Sequence, residues 1–582
     1  MSYLQKTLYD RLVMRYEQLR SIRQPWEGPC DDVIDIFRPD MVRFNQHDNV
    51  DNIDLFSMGE NIFEGTPPWS ARLMSEGWQG YLVSRSIEWV KHQLQDLKGV
   101  DEVNKWLQEF DEYMYYVYKE STMYDNLGAF CRHGVTVGSP VDVIEEHPRT
   151  GKILHYIPHP AERFLGQNAF GETDTLHLLR DRTVKEAYEL YGNSKREVTD
   201  SGTKMSRGND AFSDSLTNCY REGQYNQKFK FVKCFHHFLD PIFEGVTGEE
   251  KPRAPWMGYT LQLDNNKKKI CKIEAYWSKP FVDWPYEKDP AMAYAMTPAF
   301  YCLPDSVSLQ DAREGVLMSG KLANRPPMWA LASMQNTIEL YPEGLNWPKN
   351  EQEYNMIPKP IIDNPRAFPI GIDMEHILRE NVERWFHVKF FLMLSQWSTE
   401  QKSPPTAYHI MHMMGERAVL LAPRIGNFTR RLEEMDDRMI NIERDAGRLP
   451  EPPPIVMEMS SGRMKPEFIG PLAQVQAQYH ETRRMEATMM QIQPFINLDP
   501  LAARKIKAEV AMEHILEKNR FIQDAITSQE EYDEIKAAVA QQQELREKVQ
   551  LGTEIAKALP SAGKSIERNS PIQLLSGISG AA

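Results

Sequence analysis

The longest regular pattern of apolar residues in this chain lies between residues 407 and 444. Steps of three and four residues alternate along it, through Met411, Met414, Ala418, Leu421, Ile425, Phe428, Leu432, Met435, Met439 and Ile442. This spacing predicts a helix of the coiled-coil type, roughly 55 Å long. Pro423 predicts a kink inside it, because proline lacks a backbone donor and clashes with the preceding turn. Gly447, followed by Pro450, predicts its end.

Other parts of the chain also have helical spacing of apolar residues, namely residues 3–23, 67–130, 306–335, 373–397 and 528–549. The first of these helices is predicted to end before Pro25, because Gly28 and Pro29 follow closely. Period-two alternation replaces this pattern in residues 141–157 and 259–277, which predicts two β-hairpins. The pattern therefore predicts an α+β fold that is predominantly helical.

Two segments break the regular patterns. Residues 192–218 are polar and contain few apolar positions, which predicts a mobile loop between the two hairpins. Residues 337–370 hold six prolines and show little periodicity, which predicts a compact non-helical insert between two helices.

Composition changes this picture in three ways. The 582 residues are enough for three to four domains, and 83 acidic against 68 basic residues give a net charge of -15. A protein that wraps nucleic acid tightly should be basic, so this chain either avoids DNA or contacts it weakly. The six cysteines are scattered without any C-x-x-C pair, which predicts free thiols in a reducing compartment. No signal peptide or membrane-spanning segment is predicted.

Motifs for catalysis or metal binding are incomplete. Gly315 and Gly320-Lys321 nearly match a phosphate-binding loop, but Leu322 stands where Ser or Thr would contact magnesium. His409, His412 and Glu416 share a helical face and could bind zinc, but we favour the interpretation that they line the polar side of the long helix, because the H-E-x-x-H spacing is absent. Cys234, His236 and His237 alternate along a strand and would converge poorly on one ion. We therefore predict no enzyme activity, no metal and no cofactor.

Several pieces of this sequence resemble the head-to-tail connector (portal) proteins of short-tailed, podovirus-type phages. The resemblance rests on Thr406-Ala407-Tyr408, Leu421-Ala422-Pro423-Arg424, Arg431-Leu432-Glu433, Asp445-Ala446-Gly447-Arg448-Leu449-Pro450, Phe468-Ile469-Gly470-Pro471-Leu472-Ala473 and the stretch 158–192 with Arg163-Phe164. These pieces occur in the family's order and cover most of residues 1–550.

The resemblance implies a portal fold that assembles as a dodecameric ring around a channel. Its parts would be an N-terminal wing (1–305), a first stem helix (306–336), a clip (337–370), a second stem helix (371–395), a channel loop (396–406), the long kinked helix with the rest of the wing (407–499), crown helices (500–558) and a flexible tail (559–582). Such a ring would nucleate capsid assembly and conduct the genome during packaging and ejection.

The same resemblance suggests functional residues and partners. Candidate DNA-channel residues are Lys402, Glu400, Arg379 and Arg384, although each could equally be a surface charge without DNA contact. Candidate clip residues for docking terminase and tail are Glu339, Tyr341, Trp347, Lys349 and Lys359. Expected partners are further copies of the chain, double-stranded DNA, the terminase large subunit, the major capsid protein, a scaffolding protein and tail adaptor or nozzle proteins, but no membrane.

The expected location is the portal vertex of the virion, and the host cytoplasm during assembly. The alternative is an internal virion or scaffold protein, and after that a DNA-processing enzyme.

Overall fold

The computed structural model describes the residues 7–46, 59, 62–86, 88–94, 101–147, 150–192, 196–199, 202–206, 208–324, 328–329, 359–360, 367–392, 407–459 and 464–469. All of them belong to the first of two compact units, residues 1–483; the second unit is residues 484–582.

Helices and strands alternate along the described residues. The helices are α1 (Leu8–Phe37), α2 (Thr66–Leu82), α3 (Asp101–Glu120), α4 (Met123–Val135), α5 (Val184–Tyr191), α6 (Asp214–Arg221), α7 (Pro298–Asn324), α8 (Ala367–Trp385), α9 (Val388–Phe391), α10 (Ala407–Asp445) and α11 (Pro454–Met459). The strands are β1 (Val90–Gln93), β2 (Val141–Glu146), β3 (Ile153–Tyr156), β4 (Arg163–Gln167), β5 (Thr173–Thr183), β6 (Arg196–Thr199), β7 (Gly202–Ser206), β8 (Lys228–His237), β9 (Trp256–Gln262), β10 (Ile270–Tyr276), β11 (Phe281–Asp283), β12 (Met328–Trp329), β13 (Lys359–Pro360) and β14 (Lys465–Phe468). The mixture of helix and strand agrees with the predicted α+β class.

Helix α1 runs through the prolines that were predicted to end it. Pro25 and Pro29 both lie inside the helix, so two backbone donors are missing from its ladder. The helix continues because its second half buries Cys30, Val33, Ile34 and Phe37 against neighbouring elements. The prediction of an end before Pro25 was wrong, since this burial outweighs the lost hydrogen bonds.

A seven-stranded antiparallel sheet has the order β4-β5-β8-β9-β10-β7-β6. The first half of α1 packs on it, with Leu12 and Tyr16 in one core with Phe164 and Tyr259. Both predicted hairpins are present, as β2–β3 and β9–β10. The prediction of a mobile loop at residues 192–218 was wrong, because β6, β7 and α6 form there and β7 pairs with β10.

The largest core of the described residues collects the helices α2, α3, α4, α7, α8 and α10 around tryptophan side chains. Helix α10 contributes Leu421, Ile425, Phe428, Leu432, Met435, Met439 and Ile442, all buried, as the spacing predicted. The ring of Phe428 meets that of Trp284 edge-on, with centroids 4.6 Å apart. Pro423 lies inside this helix, on its exposed side.

A buried charged network ties α10 to α3 and β1. The imidazole of His92 donates to Asp111 at 2.6 Å and to Asp436 at 2.8 Å, and the hydroxyl of Tyr118 donates to the same Asp436 carboxylate. Burial opposes a charged imidazole, but the charge of Asp436 and the two hydrogen bonds raise the pKa of His92 to about 10. The ring is therefore an imidazolium held between two carboxylates at neutral pH.

Glycine closes α10 with a Schellman motif. The amide of Gly447 donates to the carbonyl of Arg444 at 2.9 Å, and that of Arg448 to the carbonyl of Glu443 at 3.0 Å. Gly447 has a φ of 66°, in the left-handed region that side chains with a Cβ disfavour.

The same substitution should have opposite effects at two glycines. Gly447→Ala is expected to lower the free energy of unfolding by about 1 kcal/mol, because alanine is strained at positive φ. Gly426→Ala is the matched control: Gly426 lies inside α10 with nothing near its Cβ position, so alanine should stabilise by roughly 0.5–1 kcal/mol. Urea unfolding of both variants checks this, and changes of equal sign would contradict it.

All six cysteines are free, which confirms that part of the prediction. Five are buried, and Cys219 is partly accessible. Burial raises the pKa of the thiols of Cys30, Cys131, Cys234 and Cys302.

Candidate functional site

Two antiparallel helices, α7 and α8, flank the proline-rich insert. Tyr301, near the start of α7, stacks on Trp385 at the end of α8, with ring centroids 5.6 Å apart. Further along the pair, Arg313 of α7 contacts Glu375 of α8 at 3.3 Å. One face of the pair packs into the largest core through residues such as Leu309 and Val382. The pair corresponds to the two helices predicted as stem helices.

The bounds of these helices differ from the predicted ones. Helix α7 begins earlier, at Pro298, because proline fits the first turn of a helix, where its missing donor costs nothing. Helix α8 begins at Ala367, so the last four residues of the predicted non-helical insert are helical. It ends at Trp385, because His387 adopts a left-handed φ of 51° and redirects the chain into α9.

Two short paired strands, here called the clasp, lie on either side of the segment 330–358. The first of them lies within residues 306–336, where a helix was predicted, because Pro326 and Pro327 cannot continue α7 beyond Asn324. Strand β12 pairs with β13, with Met328 opposite Pro360 and Trp329 opposite Lys359. This pairing brings the two ends of the intervening segment side by side. Of the candidate clip residues, Lys359 lies in β13, while Glu339, Tyr341, Trp347 and Lys349 lie outside the described residues.

Arg379, a candidate channel residue, lies in a cluster of alternating charges. Its guanidinium contacts Glu375 at 2.6 Å and Glu64 at 3.2 Å, and Arg313 reaches the same two carboxylates. Burial opposes the ionisation of Glu64, yet the hydrogen bond from Thr66 and the guanidinium of Arg379 lower the pKa of its carboxyl. The charge of Arg379 is thus largely compensated within the chain.

The sequence pattern did not reveal this cluster. Glu375 and Arg379 are four residues apart on one helix, so their ion pair could have been predicted from the sequence. Glu64 lies more than 300 residues away along the chain, in a segment without periodicity, and no local signal connects it to α8.

Arg384 differs from Arg379 in its exposure. Its side chain is 70% exposed, and its guanidinium lies 3.6 Å from the carboxylate of Glu380 on the same helix, which is long for an ion pair. Exposed pairs of this kind contribute little energy, so the guanidinium is available to another anion. The other two channel candidates, Glu400 and Lys402, lie outside the described residues.

Large apolar side chains are exposed on the outer face of the α7–α8 pair. On α8, Met374, Ile377 and Trp385 follow helical spacing on one face. On α7, Val307 and Met318 are eleven residues apart and therefore also share a face. We call these five residues the helical strip. Large apolar side chains exposed on a protein surface are suited to a contact with another chain.

A wide groove opens elsewhere on the molecule, between the first half of α1, the β4–β5 turn, the turn after β8, and α10. Its volume is about 1230 Å³. Lining residues include Arg15, Phe170, Leu239, Phe281, Arg430 and Arg438. The guanidinium of Arg438 is buried at the base, where it donates to the hydroxyl of Ser278 at 2.5 Å.

The described residues do not form a metal centre or a nucleotide-binding loop. No three of their His, Cys, Asp and Glu side chains are arranged to hold a metal ion. Gly315 to Lys321 lie inside α7, whereas a phosphate-binding loop must connect a strand to a helix. His236 is instead part of a buried chain, in which it contacts His177 at 2.8 Å and Asp240 at 2.8 Å. The side chains of His409, His412 and Glu416 lie outside the described residues.

Exposed apolar surfaces on a scaffold of packed helices and sheets are typical of a structural protein that acts by contacting other chains. None of the described helices is both long and apolar enough to cross a membrane. The family model of bacteriophage head to tail connecting proteins matches residues 9–524, so the chain belongs to this family. A search of the curated proteins gave no match.

Membership in this family identifies the protein as a structural component of the phage particle. A connector of this kind contacts components of both the capsid and the tail. The family is one of structural proteins and is not a known family of enzymes.

Proposed function

We propose that the protein is a portal subunit, which forms a dodecameric ring with a central DNA channel. The observation that carries this proposal is the antiparallel α7–α8 pair, which exposes apolar residues and lies next in sequence to the paired strands β12 and β13 on either side of the segment 330–358. A ring requires such a face on every subunit, because each copy must contact two neighbours. The insert would then be the clip that docks the terminase large subunit and later the tail.

The charge of the chain supports a conduit over a DNA-binding protein. Twelve copies of a chain with a net charge of -15 repel phosphates on average, so DNA would slide without being held. Scattered cations would guide it, and Arg384 is the better candidate of the two described ones, because Glu64 and Glu375 already compensate Arg379. We further infer that the ring nucleates the capsid together with the scaffolding and major capsid proteins.

Electron microscopy of the purified protein tests the ring directly. We expect end-on class averages with about twelve subunits around an open centre. Monomers or dimers at high protein concentration would contradict the proposal. Measured ATP hydrolysis by the protein alone would point instead to a DNA-processing enzyme.

Shortening the insert should separate docking from assembly. Because Trp329 and Lys359 face each other, an Asn-Gly turn can replace residues 330–358 and close a two-residue hairpin. We expect this variant to form rings like the wild type and to lose terminase-dependent packaging of DNA. Ring counts and a packaging assay with purified terminase measure the two effects. Loss of the rings, or retained packaging, would show that the insert is not the docking element.

A further inference from the structure

Arg163, the first residue of β4, is a buried cation without a carboxylate partner among the described residues. It is 2% exposed, and its Nη2 atom donates to the carbonyl of Gly138. Its Nε and Nη1 atoms are also buried, and no described group accepts a hydrogen bond from them. The side chains whose charges act on it are those of Tyr294, Cys30 and Arg23, and none of these is a carboxylate.

Arg163 keeps its charge at neutral pH. Burial lowers the pKa of its guanidinium, but only to about 10. Burial also raises the pKa of the Cys30 thiol to about 12 and that of the Tyr294 hydroxyl, so neither neighbour is an anion. A buried charge is strongly unfavourable unless an opposite charge compensates it. Water would satisfy the N–H groups of Arg163 and leave the charge uncompensated, whereas an anion both accepts the hydrogen bonds and neutralises the charge.

Two further side chains beside Arg163 have nitrogen atoms in the same condition. The Nδ1 atom of His133, in the last turn of α4, and the Nη1 atom of Arg38, at the end of α1, are buried without a hydrogen-bond partner in the described part of the chain. Gly138 links two of these residues, because its carbonyl accepts from Arg163 and its amide donates to the carbonyl of His133 at 2.8 Å.

The imidazole of His133 lies among these positive charges. Burial, followed by the charges of Arg38 and Arg163, holds the pKa of His133 well below its usual range. The ring is therefore neutral, and its Nδ1 atom can carry the proton that an anion would accept.

The carboxylates in this part of the fold already have other partners. Asp40 serves two arginines, since it contacts Arg38 at 2.9 Å and Arg132 at 3.4 Å. The other engaged acids are Glu27, which pairs with Arg23 at 2.7 Å, and Asp31, whose carboxylate accepts from the amide of Phe44 at 2.6 Å. Positive charge is thus in excess where the ends of α1 and α4 meet the start of β4.

We propose that Arg163, together with His133 and Arg38, holds a small dehydrated anion of the size of chloride. The free donor atoms are buried, so their ligand must be small enough to be enclosed by the fold. A spherical anion accepts hydrogen bonds from any direction, which suits donors that come from three different elements. The site lies within one subunit and is therefore independent of the proposed ring.

Replacement of chloride by gluconate at constant ionic strength tests the site, because gluconate is too large to be enclosed. For the full chain, we expect chloride to raise the temperature of thermal unfolding relative to gluconate. Chloride should also slow deuterium exchange of the amides in residues 129–139 and 159–165. Both effects follow because a ligand that binds only the folded state stabilises it by mass action.

Two buried arginines provide the variant and its matched control. Arg163→Met removes the charge but keeps a long side chain, and it should abolish the response to chloride. Arg438→Met should respond like the wild type, because the guanidinium of Arg438 is also buried but donates to Ser278 and to the carbonyl of Ile144. General effects of the two salts act on all three proteins alike. Equal behaviour of the three proteins in both salts would overturn the proposal, as would a chloride response that persists in Arg163→Met.

A measurement on the unaltered chain decides the matter even when Arg163→Met does not fold. In crystals of the full chain grown with bromide in place of chloride, the anomalous scattering of bromide should give a peak in contact with Nε or Nη1 of Arg163. Ordered water at this position instead of bromide would overturn the proposal.

Discussion

The variant His92→Ala is expected to lose about 3–5 kcal/mol of the free energy of unfolding. The imidazolium of His92 compensates the carboxylates of Asp111 and Asp436, and Asp436 is only 1% exposed. Without the ring, Asp436 would keep only the hydroxyl of Tyr118 as a described partner and would be a buried, uncompensated charge. Urea unfolding followed by circular dichroism measures the loss. As a control, His376→Ala removes an exposed imidazole on α8 and should change stability by less than about 0.5 kcal/mol.

The stabilisation by His92 should depend on pH in a defined direction. The pKa of His92 is about 10 in the folded protein and near 6.5 in the unfolded chain. Because the folded state binds the proton more tightly, protonation of the ring stabilises the fold. The contribution is complete below about pH 6.5 and is lost as the pH rises towards about 10. The stability difference between wild type and His92→Ala should therefore shrink with rising pH. A difference that is constant or grows would contradict the charged network.

The variant Leu432→Asp is expected to prevent folding of the region around α10. Leu432 is 1% exposed in the largest described core, so an aspartate there removes apolar burial and places a carboxylate among apolar side chains. The milder Leu432→Ala should cost roughly 2–5 kcal/mol, and the aspartate more. Soluble yield and thermal unfolding measure the series. Arg444→Ala, at an exposed position of the same helix, should be close to wild type. Equal stability of Leu432→Asp and Arg444→Ala would show that the helix is not buried.

The parts of the fold that the sequence predicts well are those with local signals. The apolar seam of α10 repeats over nine turns of helix, and Gly447 ends it through contacts within five residues. The two hairpins combine alternating strands with nearby turns, so their pairing partners are also close in sequence. Local patterns of this length determine the structure because most of the stabilising contacts are contained in them.

Predictions failed where distant contacts outweigh local preference. Pro25 and Pro29 favour the end of a helix, but the residues of α1 that follow them pack in cores that include Val137, Phe300 and Phe386, more than 100 residues away. The segment 192–218 has little apolar character of its own, yet β7 becomes ordered through pairing with β10. Strand β1 pairs with β14 across more than 370 residues, with Val90 opposite Phe468. No pattern within a short window records such a partner.

The candidate site was predictable only in part. The presence of a helix on each side of the insert follows from apolar spacing, although the bounds of both differ from the predicted ones, and the positions of Arg379 and Arg384 on α8 were anticipated. The different surroundings of these two arginines were not predicted, because Glu64, which contacts Arg379, lies in a distant segment of the chain. The exposure of Phe170 and Leu239 also depends on how the sheet and α1 are assembled, which the alternation of residues does not specify.

The distribution of the cysteines makes the native chain suitable for single-site fluorescent labelling. Five thiols are shielded in the interior, while Cys219, on the last part of α6, is the accessible one. A maleimide dye should therefore attach once per chain without removal of the other cysteines, because nucleophilic attack needs an accessible thiolate. In the ring proposed above, mixing donor-labelled and acceptor-labelled chains would then report subunit exchange in real time, and the lifetime of that assembly becomes a measurable quantity.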